Sequence, residues 1–396
     1  MIIENKKVEF LVKNTKLDQI AQKPYNKEVC NFLVDFSKKI DDKNIYREFP
    51  DIKALSFWCR KGNIDKLIKN NISNELRVGL GIIFHITPSN IPTNFMYSLI
   101  FGLLTGNSNI IKVPSKKFKQ IDFICKKIEE LLKKKYKSLR KRICIIRYKE
   151  DEALTKLISL QCNARLIWGG DKTINEIRKI SLNPRALELT FSDRYSLSVI
   201  DIKSLTKINK NEFSSLVEKF YNDTFIVDQN ACSSPQMILW HGKYNKKVQE
   251  KFWSALADLV SKKYTPPDNS GIEKHNQLFE NFISLKNINN FKIYKKQIYT
   301  VSLNNLNKEI HKLRGKWGYF YEFNTSNLKI LENIVNTKYQ TLSYYGISKS
   351  YMNFFFSNTA LRGIDRIVPI GQALNINLFW DGYDLNKVLT RIIDIR

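Results

Sequence analysis

The chain has 396 residues, 43% of them hydrophobic, and a formal net charge of +27. That length buries a large core and predicts two domains in an ordinary globular protein. Its six cysteines form no CxxC pair and do not cluster with the four histidines, which argues against structural zinc and for a reducing, cytoplasmic setting.

The N-terminus, MIIENKKVEF, carries charges where a signal peptide needs an apolar run. Residues 1–76 read as a mostly helical and irregular lead-in. From Val78 the pattern becomes regular. VGLGIIFHI is a short apolar strand. TNFMYSLIFGLLTG is a buried helix ending at Gly106, too short to span a bilayer. NIIKVP is a second strand, and Ile121, Ile124, Cys125, Ile128, Leu131 and Leu132 then fall at helical spacing. RICIIRY is a strand, EDEALTKLISL a helix and ARLIW a strand. Gly169 and Gly170 follow, with Asp171 as N-cap of the helix KTINEIRKI. LELTF and SLSVI close the series. Alternating strands and helices predict a parallel sheet covered on both faces.

A glycine turn between a strand and a helix suits phosphate binding at the helix N-terminus. The spacing is not GxGxxG, so on pattern alone Gly169–Thr173 is either a nucleotide site or a plain tight turn. Beyond residue 200 the texture changes. The helix EFSSLVEKFYND leads to the segment DQNACSSPQ and the strand QMILW. A helical run, KKVQEKFWSALADLVSKK, ends before the loop YTPPDNSG. The basic cluster KKKYKSLRKR at 133–142 holds one aromatic and no RNA-binding motif. The positive field therefore suits phosphorylated cofactors or an acidic partner protein better than nucleic acid.

Four stretches occur together: HITPSNIPTN with Asn90, GLLTGNSNIIKVPS with Lys112 and Ser115, WGGDKTI with the glycine turn, and DQNACSSPQ with Cys232. In this order they resemble the aldehyde dehydrogenase superfamily. The stretches PSNIPTNFMYSLIFGLLTGNSNIIKVPS, LTFSDRYSLSVI, DQNACSSPQ and RGIDRIVPIGQALNINLFWDGYDL are most similar to the long-chain acyl-CoA (fatty acid) reductases of bacterial bioluminescence systems. The resemblance covers roughly residues 77–396.

This resemblance implies an aldehyde-dehydrogenase-like α/β fold. A Rossmann-type nucleotide-binding domain is expected over 1–195 and a catalytic domain over 196–360. Residues 361–396 would return to the first domain or to a neighbouring subunit. The implied activity is NADPH-dependent reduction of a fatty acyl thioester to a fatty aldehyde. Cys232 would be the nucleophile, since sulfur both attacks and leaves. The Asn90 amide and the Cys232 backbone N–H would hold the oxyanion. Lys112 and Ser115 match positions that contact the cofactor's adenosine ribose or its phosphate. Gly169, Gly170, Asp171 and Thr173 match the turn beside the pyrophosphate, where Asp171 puts a carboxylate in place of a common serine.

Oxidising aldehyde dehydrogenases carry a glutamate and two glycines where this chain has ALELTFSDR. Glu188 aligns with that glutamate, but Thr190 and Phe191 replace the glycines, so Glu188 reads as structural or secondary. His85, inside the strand IIFHI, reads as a hydrogen-bonded core residue, and spacing alone assigns His241 no role beside the thiol. The acyl donor is acyl-CoA or an acylated partner, an acyl-protein synthetase or acyl carrier protein, and the enzyme is expected to be a homo-oligomer. The rival readings are aldehyde oxidation to the acid and a non-catalytic basic binding protein.

Overall fold

The computed structural model describes residues 8–71, 75–359 and 361–396. Residues 1–7 and 72–74 of the lead-in, and residue 360, the expected end of the catalytic domain, lie outside them. The chain forms two units, Met1–Asp193 with Leu378–Arg396, and Arg194–Asn377.

The first unit is built on strands β1 (Glu9–Val12), β2 (Arg77–Gly79), β3 (Ile82–Ile86), β4 (Ser108–Val113), β5 (Ile143–Arg147), β6 (Ala164–Trp168) and β7 (Leu187–Phe191). Six of them form one sheet in the order β1-β5-β4-β3-β6-β7. All neighbours are parallel except β1, which pairs antiparallel with β5. Strands β3, β5 and β6 are buried along their whole length, which is why they read as continuous apolar runs rather than alternations. From β3 the chain builds outward through β4 and β5, then returns to place β6 on the other side of β3. The order therefore reverses between β3 and β6, and a doubly wound sheet binds ligands outside the carboxyl ends of the strands at such a reversal.

Three expectations need correction. The lead-in is not only helical and irregular, because it supplies the edge strand β1. VGLGIIFHI is two strands, broken at Leu80–Gly81. Gly81 has φ +131°, and a Cβ there would fall 2.3 Å from Asn163 Oδ1. Asn107 Oδ1 accepts from the amides of Leu80 and Gly81 at 2.6 and 3.0 Å, satisfying the break. Finally, LELTF and SLSVI do not end one sheet: the first is β7, while the second lies in β8 (Tyr195–Asp201), which opens the second unit.

That unit continues with β9 (Met237–His241), β10 (Ile288–Tyr294), β11 (Ile298–Leu303), β12 (Tyr319–Thr325), β13 (Tyr339–Tyr345) and β14 (Arg366–Pro369). They form a seven-stranded sheet in the order β10-β11-β12-β9-β8-β13-β14, parallel except at β10. Apolar layers cover both of its faces. One contains Leu197, Leu239, Val301 and Leu342, and the other Ile200, Ile238, Trp240 and Trp253. In the C-terminal segment, β15 (Phe379–Trp380) pairs with β16 (Tyr383–Asp384), and β17 (Thr390–Ile392) pairs with β2.

Candidate active site

In the first unit, Asn90 follows β3 in an exposed turn that leads into helix Asn94–Leu104. Asn94 is buried in the first turn of that helix, and its Oδ1 has no hydrogen-bond partner. It is a buried acceptor that a donor on a bound molecule would satisfy. Lys112 lies near the end of β4. Its carbonyl accepts from the Thr87 amide and hydroxyl at 3.1 and 3.0 Å, and its ammonium sits 4.8 Å from the centre of the Tyr148 ring. Burial lowers the Lys112 pKa. Ser115, two residues past the strand, is exposed.

Gly169 and Gly170 lie between β6 and helix Asp171–Arg178. Gly170 is the N-cap, and Asp171 is the first helical residue rather than the cap. The Gly169 amide donates to Phe191 O at 3.2 Å, so it is committed to the sheet edge. Neither glycine is required by the fold. Gly170 has φ −68°, and a Cβ on it would meet nothing within 4 Å. At Gly169 a Cβ would meet Thr173 only at an ordinary 3.4 Å. Glycine in such a place suits close approach by a ligand. Asp171 and Thr173 are exposed in the first turn, where the Asp171 carboxylate competes with phosphate for the positive helix end.

Behind this edge runs a buried polar chain. The Trp168 indole donates to Ser98 Oγ at 2.9 Å, and Ser98 Oγ lies 2.7 Å from His85 Nδ1. His85 Nε2 lies 3.0 Å from Asn109 Oδ1, whose amide nitrogen donates to Asn107 O. With the indole donating into Ser98, the serine proton goes to Nδ1 and Nε2 carries the ring hydrogen. Burial pushes the His85 pKa down to about 3, so the ring stays neutral. His85 is thus a satisfied core residue.

Glu188 is held away from the same edge. Register pairs Glu188 with Arg165 and Phe191 with Trp168, so Glu188 sits at the entering end of β7. At about 3.3 Å per residue, it lies about 13 Å along the strand from Gly169. Its carboxylate accepts from Arg165 Nε at 2.8 Å and from Arg165 Nη2, and Arg178 Nε donates to the other oxygen at 3.1 Å. Arg165 is buried and spends Nη1 on Ser159 Oγ and Ile180 O.

In the second unit, helix Lys210–Thr224 runs through a short 3-10 turn to Asp228 and Gln229, both left-handed with φ 54° and 61°. Two adjacent non-glycine residues in that region cost of order 1–3 kcal/mol each and persist only where their surroundings hold them. Gln229 supplies that hold. Its amide nitrogen donates to Pro235 O and Tyr319 O at 3.1 and 3.0 Å, and its oxygen accepts from the Gly318 amide at 3.0 Å. Gln236 donates back to Gln229 O at 3.1 Å and accepts from the Gly315 amide at 2.8 Å. Ser196 Oγ donates to Cys232 O at 2.6 Å and accepts from the Thr341 amide at 3.1 Å.

The result is a loop with a buried frame and a half-buried thiol. Ala231, Ser233 and Ser234 are buried around Cys232, which alone of the six cysteines is not. Burial pushes the thiols of Cys30, Cys59, Cys125, Cys144 and Cys162 up, so they stay protonated and inert. His241 takes no part in this loop. It ends β9, a full strand beyond the thiol, and pairs with Asp201 at 3.2 Å. Sequence reasoning missed the supporting residues Gln229, Gln236 and Ser196. The signal for Gln229 was at hand, three residues before the cysteine in DQNAC.

Among the described residues, no group of histidine, cysteine and carboxylate side chains could hold a metal ion, and no helix is long and apolar enough to cross a membrane. A cavity of about 50 Å³ in the second unit is lined by residues that include Gln249, Trp253, Lys292, Thr300, Glu322 and Asn324, but by none of the site residues.

No curated protein sequence matches the chain significantly. Among solved structures it is similar to aldehyde dehydrogenase 21 from Physcomitrella patens, at 9% identity and TM-score 0.59 over 88% of this chain and 78% of that one. It is also similar to a mutant of 1-pyrroline-5-carboxylate dehydrogenase from Thermus thermophilus, at 10% identity and TM-score 0.63 over 94% and 81%. A third is lactaldehyde dehydrogenase from Escherichia coli, at 10% identity and TM-score 0.61 over 92% and 85%. At these identities the likeness is one of fold. The family described as Acyl-CoA reductase (LuxC) matches residues 18–391. With nearly the whole length matched and the aldehyde dehydrogenase fold beneath it, the chain belongs to the acyl-CoA reductase (LuxC) family, oxidoreductases that reduce a fatty acyl group to the aldehyde.

Proposed function

We propose that the protein reduces a fatty acyl thioester to a fatty aldehyde with NADPH, through an acyl group carried on Cys232. The observation that carries this reading is the contrast among the cysteines: five are buried, and the sixth is only partly buried, on a loop whose strained backbone is held by Gln229 and Gln236.

The Cys232 thiolate attacks the thioester carbonyl, and the Asn90 side-chain amide and the Cys232 N–H stabilise the oxyanion. Loss of the donor thiolate leaves the acyl group on sulfur. When bound, NADPH supplies the hydride that reduces the acyl carbon. Breaking the carbon–sulfur bond then returns the Cys232 thiolate and releases the aldehyde. Lys112 and Ser115 would hold the adenosine ribose and its phosphate, beside the exposed Lys116 and Lys117. Gly170 and Thr173 would face the pyrophosphate, with Gly169 and Asp171 shaping the turn. The open Gly170 and the reversal between β3 and β6 support this fit.

Hydrolysis of the acyl-enzyme needs a base and an ordered water. Glu188 is committed to Arg165 and Arg178, which favours reduction over oxidation to the acid. Acyl-CoA and an acylated protein, either a synthetase or a carrier, both fit as donors to a chain of net charge +27. We further propose that the enzyme works as a homo-oligomer in the cytoplasm.

The test is to incubate the protein with a long-chain acyl-CoA in the absence of NADPH and map the adduct by mass. One acyl group on the Cys232 peptide is expected, discharged as aldehyde when NADPH is added. Acylation that survives in Cys232→Ala would remove Cys232 from the mechanism.

A further inference from the structure

Helix Lys210–Thr224 carries one buried carboxylate that the mechanism does not use. Asp223 is 1% exposed, and its two oxygens accept from the amides of Gly371 at 2.6 Å and Ala373 at 2.9 Å. These amides belong to the turn after β14. Gly371 makes it possible, with φ +96° and so little room that a Cβ would meet the Lys219 stem at 2.8 Å. Arg366 grips the same turn from the other side, donating to the carbonyls of Gln372, Ala373 and Asn375 at 3.3, 3.0 and 3.0 Å.

Both grips continue to the thiol loop. The Asp223 carbonyl accepts from Ser234 Oγ at 2.7 Å, two residues past Cys232. Arg366 Nη1 lies 3.4 Å from Thr341 Oγ1, the Thr341 amide donates to Ser196 Oγ, and Ser196 Oγ donates to Cys232 O. The turn and the thiol loop are therefore joined by two hydrogen-bonded routes within one unit.

We propose that Asp223 is a positioning residue for Cys232, its ionised carboxylate holding the 369–375 turn so that this turn and the Ser234 contact together set the thiol loop. The inference rests on Cys232 being the nucleophile. A carboxylate accepts strongly at both oxygens, whereas a protonated carboxyl carries a hydrogen on one of them and becomes a poorer acceptor for the N–H that faces it. The charged group that acts on Asp223 is Arg366 from β14, and the turn contributes the amides of Gly371, Ala373 and Leu374. The thiol loop contributes Ser234, which does not titrate. Burial, opposed by the turn amides and by Arg366, raises the Asp223 pKa to about 7. The hold on the turn is therefore complete only above neutral pH. Its effect on folding has the opposite sign. A raised carboxyl pKa makes the fold most stable below about 3.9 and less stable as pH climbs to 7. Rate and stability should thus move in opposite directions, which a merely structural residue would not produce.

The experiment uses the full-length protein, palmitoyl-CoA without NADPH, and pH values from about 6 to 9. It reads the acylation rate of Cys232 by mass, its alkylation by iodoacetamide, and thermal stability. Wild-type acylation is expected to rise through a step near pH 7. Asp223→Asn should lose that step and acylate up to about 10²-fold more slowly at about pH 8. Its iodoacetamide labelling should stay near wild type, and its thermal stability should lack the wild-type fall between about pH 6 and 7. Ser234→Ala, which cuts one route and leaves the carboxylate in place, should slow acylation less and keep the step. A wild-type profile without a step near pH 7, or full-rate acylation in either variant, overturns the proposal. If Asp223→Asn does not fold, the wild-type profile and Ser234→Ala still decide. Acylation of the wild type at a residue other than Cys232 is a separate outcome, which removes the nucleophile and this inference with it.

Discussion

Replacing Glu188 by alanine separates a structural carboxylate from a catalytic one. The substitution leaves Arg165, 2% exposed, with Nη1 bonded to Ser159 and Ile180 but with Nε and Nη2 facing nothing charged. Breaking a buried ion pair from one side costs about 3–5 kcal/mol. The Glu188 side chain is 19% exposed and Arg178 54% exposed, so water screens part of the interaction and the second pair adds little. A loss of about 3 kcal/mol follows, near the lower end of that range. For a folding unit of roughly 200 residues this corresponds to a midpoint lowered by about 6–12 °C. Urea denaturation and thermal melts of Glu188→Ala measure it, and Arg165→Met completes a double-mutant cycle in which the pair should couple strongly. Thioester reduction at about 20 °C, normalised to folded protein, should stay within about threefold of wild type, the allowance for small shifts at a distance. A turnover loss of about 10²-fold or more at unchanged stability, the size expected for a general acid or base, would refute the reasoning and make Glu188 catalytic.

Asn90→Ala should lower turnover by about 10²–10³-fold, the loss typical of one oxyanion donor, with NADPH affinity unchanged. Wild-type turnover in the folded variant would reduce Asn90 to a turn residue. His85 has a folded pKa near 3, below its unfolded value of about 6.5. Its contribution to stability is therefore complete above about pH 6.5 and falls by up to about 1.4 kcal/mol per unit as pH drops toward 3. Acid denaturation of His85→Gln should show a flatter slope across that window, and an unchanged slope would mean the ring is not buried neutral. Gly102→Ala would set a Cβ 1.8 Å from Asn109 Oδ1, the atom that holds His85. Overpacking of that kind costs about 1–3 kcal/mol, read as a lower denaturation midpoint.

The fold of the first unit was largely legible because its signals are local. Continuous apolar runs such as IIFHI and ARLIW mark strands buried on both faces, and the 3.6-residue spacing from Ile121 to Leu132 marks the helix between β4 and β5. The cysteine loop was legible for a similar reason: small and polar residues around Cys232, followed at once by the strand QMILW. The resemblance then supplied the chemistry.

What the sequence could not show depends on partners distant in the chain. The four residues Glu9–Val12 read as irregular because an edge strand of that length carries no periodicity. They become β1 only by pairing with β5, more than 130 residues later. LELTF and SLSVI have the same local texture, and only the arrangement of the two sheets assigns them to different units. Glu188 could have been a base or a strut. The structure pairs its carboxylate with Arg165 and Arg178 at the entering end of β7, contacts that no local pattern announces. Gly169 and Gly170 look equivalent in the sequence, yet Phe191 takes the amide of one and leaves the other open. Asp223 has no local signature at all, since its carboxylate acquires a role only when the amides of Gly371 and Ala373, about 150 residues on, fold against it. Local sequence determines which segments become strands and helices, because hydrophobic period and turn chemistry act over a few residues. Which polar groups meet in the interior is decided by tertiary packing, because a buried carboxylate or amide takes its energy, and so its function, from whatever donor the fold brings to it.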